Sequence, residues 1–162
     1  MILDTQTHTD LDTGLMDAIT SAKAEDSSIL FSYTFQFEAR DLLPLLSHPA
    51  DKNACRIYWE QPQNGFALAG LGKVLEINYS TGQSLDDLNE QIGNYFEQAI
   101  HVSNQPFAGP RFLGGHSFDP KATSDDIWGE FPRASYILPE CLATLNPDGC
   151  WLTISKMVTK HD

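Results

Sequence analysis

An alternation of apolar and polar residues near the N-terminus constrains the fold of this chain more than any other feature. Large apolar residues occupy every second position and polar residues lie between them; the apolar set is Ile29, Phe31, Tyr33, Phe35 and Phe37, and the polar set is Ser32, Thr34 and Gln36. Because successive side chains of a strand point to opposite faces, this pattern predicts a β-strand with a buried, heavily aromatic face. One strand is not stable alone, so the chain is expected to build a sheet.

Two turn sequences indicate how that sheet is assembled. Residues 62–65 (Pro-Gln-Asn-Gly) separate the apolar runs 55–61 and 66–71, and an Asn-Gly step tolerates positive φ at both positions. Residues 146–149 (Asn-Pro-Asp-Gly) likewise separate 136–145 from 150–158. Each turn predicts an antiparallel hairpin, and residues 73–79 are expected to continue the same sheet.

Helical spacing appears in three segments. A short amphipathic helix is predicted from apolar residues at helical spacing: Leu11, Leu15, Ile19 and Ala22. A second short helix is predicted at 41–46, where Pro44 is tolerable only within the first turn. The longest is predicted over 84–100, with Ser84 and Asp87 as a capping box and an inward stripe of Leu85, Leu88, Ile92, Phe96 and Ile100.

Together these segments predict the fold class and the domain organisation. Strands joined by tight turns predict an α+β fold, a largely antiparallel β-sheet with helices packed on one face. A chain of 162 residues is long enough for one domain that buries roughly 70% of its unfolded surface, and no linker divides it. Residues 1–162 are therefore expected to form a single domain.

The charge of the chain excludes several classes of partner. The net charge is −12, from 22 acidic and 10 basic residues, which disfavours nucleic acid and anionic membranes because both are bound through Lys and Arg. No apolar stretch approaches the roughly 18 residues that span a bilayer, and the N-terminus lacks the features of a signal peptide. We therefore expect a cytoplasmic protein that binds neither nucleic acid nor membrane.

Residue types that carry chemistry are present without the spacing that chemistry requires. Cys55, Cys141 and Cys150 form no Cys-x-x-Cys pair and are expected to be reduced, buried thiols, and the five histidines are scattered. Residues 65–73 resemble a phosphate loop, but two functional positions of that motif fail. The three tryptophans lie in separate apolar segments and are predicted to be core residues: Trp59, Trp128 and Trp151. No catalytic, cofactor-binding or metal-binding residue is predicted in this chain.

The most distinctive segment is residues 110–119, Pro-Arg-Phe-Leu-Gly-Gly-His-Ser-Phe-Asp. A Gly pair in a strand-like run contributes no side chain to the core, so Gly114 and Gly115 are predicted to allow close backbone approach. A hydrogen-bonded, neutral histidine at a sheet edge is the favoured interpretation of His116, with general base as the alternative. Ser117 lacks the Gly-x-Ser-x-Gly context of a nucleophile, and Asp119 is predicted to organise a turn.

Taken in order, several segments resemble the N-terminal part of isochorismate synthases, which belong to the chorismate-utilising family with anthranilate and aminodeoxychorismate synthases. The resemblance covers residues 30–154 and is carried by these segments: 56–62, 66–72, 110–119, Trp128, 131–134, 136–139 and 151–153. Leu113 departs from the family pattern, in which an aromatic residue precedes the glycines. The Leu-Leu-Glu-Ser-like signature of amino-acid feedback sites is absent, which favours the isochorismate branch.

The resemblance implies a division of labour in a longer protein. In that family a C-terminal region holds the chorismate site, a Lys base, a Glu acid and the Mg²⁺ ligands, and begins with a Lys-Val-Val-Leu-Ala-Arg-like segment. The sequence ends at Asp162 without that segment, so we expect a non-catalytic N-terminal portion whose partner is the chorismate-binding region of the same protein. The alternative is a freestanding binding or scaffold domain derived from such an enzyme. The chain alone is expected to be inactive.

Overall fold

The computed structural model describes residues 5–47, 54–79, 84–103, 105, 107–118 and 132–162. The helices are α1 (Thr5–Glu25), α2 (Leu43–Leu46) and α3 (Leu85–Glu97). The strands are β1 (Ile29–Gln36), β2 (Arg56–Gln61), β3 (Phe66–Leu71), β4 (Leu75–Tyr79), β5 (Ile100–Val102), β6 (Leu113–His116), β7 (Ala134–Leu138), β8 (Cys141–Asn146) and β9 (Gly149–Val158). The predicted α+β class is confirmed.

The strands form two sheets, where the sequence predicted one. The larger has six strands in the order β2-β3-β8-β9-β1-β5, and the smaller has three in the order β4-β7-β6. All pairings are antiparallel except that of β1 with β5, which is parallel. The prediction that residues 73–79 continue the first sheet is therefore wrong, because β4 pairs with β7 in the smaller sheet.

Residues 136–145 were predicted as one strand, and this prediction is also wrong. They contain the end of β7 and most of β8, and the chain leaves one sheet and enters the other at Pro139 and Glu140. Proline has no N–H to donate to a ladder, which is consistent with a break at this position. Pro139 is buried against Gly70 of β3, where a Cβ would lie 2.9 Å from the proline ring. The bend is thus packed against the larger sheet.

Helices cover one face of each sheet. The helix α1 packs its predicted stripe against β1 and β5, and Ala18 and Ala22 are completely buried there. The short helix α2, with Pro44 in its first turn, lies on the same face over β3 and β8. The helix α3 packs against the smaller sheet through Leu88 and Ile92.

The long predicted helix ends three residues early. Its capping box is present, with the Ser84 backbone N–H donating to Asp87 Oδ2 at 2.8 Å and the Asp87 N–H to Ser84 Oγ at 3.1 Å. Ile100 does not extend the helical stripe, because it begins β5, where it is half-buried beside β1. Because Ile100 lies four positions after Phe96, it also fits the spacing of a helix, so the spacing does not reveal where the helix ends and the strand begins.

The first hairpin has a different turn from the one expected. Residues Pro62–Asn64 form a single 3₁₀ turn, and Gly65 alone adopts a positive φ of 60°. The second hairpin joins β8 to β9 as predicted, with the Asn146 side chain accepting hydrogen bonds from the N–H groups of Asp148 and Gly149 at 2.8 and 3.1 Å. Both hairpins are confirmed.

The two glycines of β6 have different surroundings. A Cβ on Gly114 would lie 1.9 Å from the carbonyl oxygen of Ser135 and 2.8 Å from the Cα of Tyr136, so only glycine fits beside β7. A Cβ on Gly115 would contact nothing within 4 Å. The prediction of close backbone approach is confirmed for Gly114 and wrong for Gly115.

These surroundings predict opposite results for matched substitutions. Gly114→Ala forces β6 away from β7 and is expected to lower the free energy of unfolding by more than about 3 kcal/mol, whereas Gly115→Ala is expected to change it by less than about 1 kcal/mol. Urea denaturation of the two variants beside the parent chain measures both effects. Equal destabilisation by the two substitutions would contradict the described packing.

Candidate functional site

The residues singled out in the sequence do not converge on one site. His116 lies at the exposed edge of the smaller sheet, and its Nδ1 is 3.2 Å from the Tyr136 hydroxyl, so the predicted hydrogen bond at a sheet edge is present. Ser117 is exposed, and its backbone N–H donates to the Arg133 carbonyl at 2.7 Å. The predictions for Asp119 and Trp128 lie outside the described residues.

The other two tryptophans, Trp151 and Trp59, differ in their exposure to solvent. Trp151 is 4% exposed and belongs to the core, as predicted. Trp59 on the edge strand β2 is 46% exposed, so its assignment to the core is wrong. Its ring meets Phe66 edge-to-face at a centroid distance of 5.7 Å. Local hydrophobicity could not distinguish the two residues, because it does not reveal which strand lies at the edge of a sheet.

Two of the three cysteines, Cys141 and Cys150, lack the properties of nucleophiles. All three are unpaired; Cys150 is buried, and Cys55 and Cys141 are half-buried. Burial raises the pKa of Cys150 to about 11, and burial also raises the pKa of Cys141. Because the reactive form is the thiolate, these two thiols are protonated at neutral pH and unreactive.

A cleft of about 340 Å³ lies beyond the end of α3, and the sequence analysis did not identify it. Residues from α3, from β5 and from the segment before β6 line it: Phe96, Ala99, His101, Ala108, Gly109, Pro110 and Arg111. Two of these side chains, His101 and Arg111, have the donor groups that bind ligands. We name this group the His101–Arg111 cleft.

His101 lies on β5 at the edge of the larger sheet and is positioned by the neighbouring strand β1. Its residue pairs with Ser32 of β1, and its Nδ1 lies 2.8 Å from Ser32 Oγ. This distance is typical of a serine nucleophile and its base, but Ser32 is completely buried, so no substrate reaches its hydroxyl. The pair therefore fixes the orientation of the imidazole rather than activating a serine. The signal in the sequence that could have placed this histidine on a strand is the apolar-His-apolar pattern of residues 100–102.

Arg111 is half-buried and supplies the positive charge of the cleft. Its Nη2 donates a hydrogen bond to the carbonyl oxygen of Phe107, four residues earlier. The ion pairs among the described residues include Lys73–Glu76, Lys156–Asp162 and Lys160–Asp26, and Arg111 takes part in none of these. The guanidinium thus keeps donors that are not used within the described part of the chain.

Comparisons with known proteins give the family. The model of a family described as "Chorismate binding enzyme" matches residues 17–162. The chain belongs to this family. It is similar to the isochorismate synthase MenF of Bacillus subtilis, with 27% identity over 153 residues, which is 90% of this chain and 32% of that protein. It is also similar to the salicylate biosynthesis isochorismate synthase of Pseudomonas aeruginosa, with 31% identity over 121 residues, 75% of this chain and 24% of that protein.

The resemblance to the isochorismate branch of the chorismate-utilising family is therefore confirmed. The chain spans about a third or less of the length of these two relatives. Among the residues that the structure describes, no three His, Cys, Asp or Glu side chains are grouped as a metal ion would require. Within the same ranges, no helix combines the length and the hydropathy needed to cross a bilayer.

The surroundings of His101 predict how it titrates. Desolvation of the ring lowers the pKa of the imidazole, while a hydrogen bond with the backbone of Ser32 raises it. The unfolded chain therefore takes up this proton more readily, so the histidine's contribution to stability is present above its unfolded pKa near 6.5 and is lost as the pH falls below it.

Two measurements test that behaviour. We expect the ring resonances of His101 to titrate below pH 6.5 by NMR. The loss of stability between about pH 7.5 and pH 5.5 should be smaller in His101→Gln than in the parent chain. A midpoint at or above 6.5 in the parent would show that the imidazole is not desolvated.

Proposed function

We propose that this chain is the N-terminal portion of an isochorismate synthase and that it supports a chorismate-binding catalytic region. The observation that carries the proposal is the family match over residues 17–162 together with two isochorismate synthases as relatives. Both relatives contain at least twice as much additional sequence as the part that this chain matches, which leaves ample length for a separate catalytic region.

The proposed reaction adds water at C2 of chorismate with loss of the C4 hydroxyl. The resemblance assigns a Lys base, a Glu acid and Mg²⁺ to the catalytic region, and the described residues here lack a group suited to hold the metal. We therefore derive no catalytic step in this chain. The product of the proposed reaction would supply menaquinone, phylloquinone or siderophore synthesis. The unpaired cysteines of this chain favour the reducing cytoplasm as its location.

The role that remains for this chain is mechanical support through a contact surface. Most of the large apolar side chains of the strands are covered within this chain: Phe31, Phe35 and Leu68 are buried, and Phe37, Ile57, Phe66 and Phe112 are half-buried. The exposed member is Trp59, which lies with Phe66 on the β2–β3 hairpin at the edge of the larger sheet. An exposed tryptophan at a sheet edge is the residue type most enriched at interface hot spots.

The first test of the proposal is catalytic. The purified 162-residue chain, given chorismate and Mg²⁺, is expected to form no isochorismate. Joined to the part of the Bacillus subtilis MenF protein that it does not match, it is expected to restore turnover that this part lacks alone. Turnover by the isolated chain, abolished by substituting one of its own residues, would overturn the assignment.

The second test concerns the contact surface. Trp59→Ser is expected to weaken association with the catalytic region by about tenfold or more, because a buried aromatic contact is lost. Met16→Ser is the matched control, since Met16 is 63% exposed but lies on α1. Sedimentation or calorimetry measures both affinities, after thermal melting has shown that each variant is folded. Equal affinities for Trp59→Ser and the parent would remove the hairpin from the interface.

The alternative is a freestanding binding or scaffold domain. Reading the gene beyond codon 162 distinguishes the two hypotheses. A reading frame that continues into a Lys-Val-Val-Leu-Ala-Arg-like segment supports the synthase portion, and a natural stop codon supports the freestanding domain. A strictly monomeric chain that binds no hydrophobic dye would also favour the freestanding domain.

A further inference from the structure

We propose that the His101–Arg111 cleft binds a small organic anion, a carboxylate carried on a ring. This inference goes beyond the proposed function, which assigns no ligand to this chain. It depends on three features that lie together in the cleft: a guanidinium with donors that no described residue uses, an oriented imidazole and an aromatic wall. Each comes from a different element, so the site exists only in the folded chain.

The charge of the ligand follows from Arg111. The residue is half-buried, and none of the described carboxylates forms an ion pair with it, although the chain has 22 acidic residues and only 10 basic ones. Its bond to the Phe107 carbonyl holds the guanidinium in place at one nitrogen. A guanidinium has five N–H groups in a planar fork that matches a carboxylate, so the remaining donors are suited to an anion from solution.

The second polar contact comes from His101. Because Nδ1 is engaged by the buried Ser32 hydroxyl, the ring has a fixed orientation with Nε2 on the side of Gly109. A Cβ on Gly109 would lie 3.1 Å from Nε2, so the glycine leaves open the space that a side chain would occupy beside the imidazole. The Nε2 atom faces this space, and it can donate to an oxygen of the ligand whenever it carries a proton.

The apolar part of the ligand follows from the opposite wall. Phe96 is 37% exposed and is held edge-to-face against Phe112 at 5.7 Å, while Ala99, Ala108 and Pro110 complete the lining. A pre-positioned aromatic face favours a flat or cyclic hydrocarbon. The volume of about 340 Å³ lies at the small end of the range for ligand sites. One arginine beside apolar walls suits a monoanion with a ring better than a phosphate of higher charge.

Benzoate is the simplest probe with both features, and benzamide is its neutral counterpart of nearly equal shape. We expect benzoate to shift the amide resonances of Gly109 and Arg111 and the ring resonances of His101 in the isotope-labelled 162-residue chain, with saturation by about 10 mM. Benzamide is expected to bind about tenfold or more weakly, because it is neutral and has one acceptor oxygen, so it cannot form the bidentate ion pair with the guanidinium. This comparison needs no variant and no chorismate turnover, so its outcome is independent of the proposed function.

A pair of variants assigns the binding to the cleft. Arg111→Gln is expected to weaken benzoate binding about tenfold or more, whereas Arg40→Gln, which removes the same charge from an exposed position elsewhere, is expected to leave it unchanged. The proposal is overturned if benzoate produces no saturable shift, if benzamide binds equally well, or if both variants bind alike. Equal binding of inorganic phosphate and benzoate would reduce the cleft to a simple anion site and would also overturn it.

Discussion

The pairing of β1 with β9 is the contact on which the rest of this structure depends. It joins eight residue pairs, from Ile29 with Val158 to Gln36 with Trp151, and brings together segments separated by more than a hundred positions in the chain. The larger sheet extends to both sides of these two strands, since β5 pairs with β1 and β8 pairs with β9. Closing such a long loop costs entropy that only the completed sheet offsets. The fold is therefore cooperative between its first and last thirds.

The face of this ladder opposite α1 and α2 is small and polar, yet it is buried. Ser32, Thr34, Thr153 and Ser155 are each 7% exposed or less, and the hydroxyls of Thr34 and Thr153 lie 2.8 Å apart. Such pairs satisfy each other across strands without needing water. Two further polar atoms are less well accommodated. Thr144 Oγ1 and Trp151 Nε1, on directly paired residues, have no hydrogen-bond partner among the described residues. A buried polar group without a partner lowers the free energy of unfolding by about 1–3 kcal/mol.

The parts of the fold that the sequence predicted correctly are those governed by local patterns. The alternation in β1, the two hairpins, the capping box at Ser84 and the glycine at Gly114 each depend on neighbours within a few positions or on one steric requirement. What was missed depends on distant contacts. The two-sheet arrangement requires knowing that β4 pairs with β7 rather than with β3. The exposure of Trp59 requires knowing that β2 pairs with β3 alone among the described strands.

The cleft illustrates the same limit at the level of function. His101 was considered only for its spacing to other histidines, whereas its orientation comes from Ser32, which is 69 positions away. Arg111 was seen as part of a family segment, and its lack of an ion pair among the described carboxylates became visible only in three dimensions. A constellation assembled from residues so far apart has no local signature in the sequence.

The two polar residues of the cleft are attached to different sheets. His101 belongs to β5 and contacts Ser32 of the neighbouring strand β1 of the larger sheet, whereas Arg111 lies two residues before β6 of the smaller sheet. The register of β6 is in turn fixed by the close approach of Gly114 to β7, since any side chain there would collide with Ser135. A ligand that touches both His101 and Arg111 therefore connects the two sheets directly. Its binding energy opposes any movement of one sheet relative to the other, and a change in their packing alters the separation of its two polar contacts.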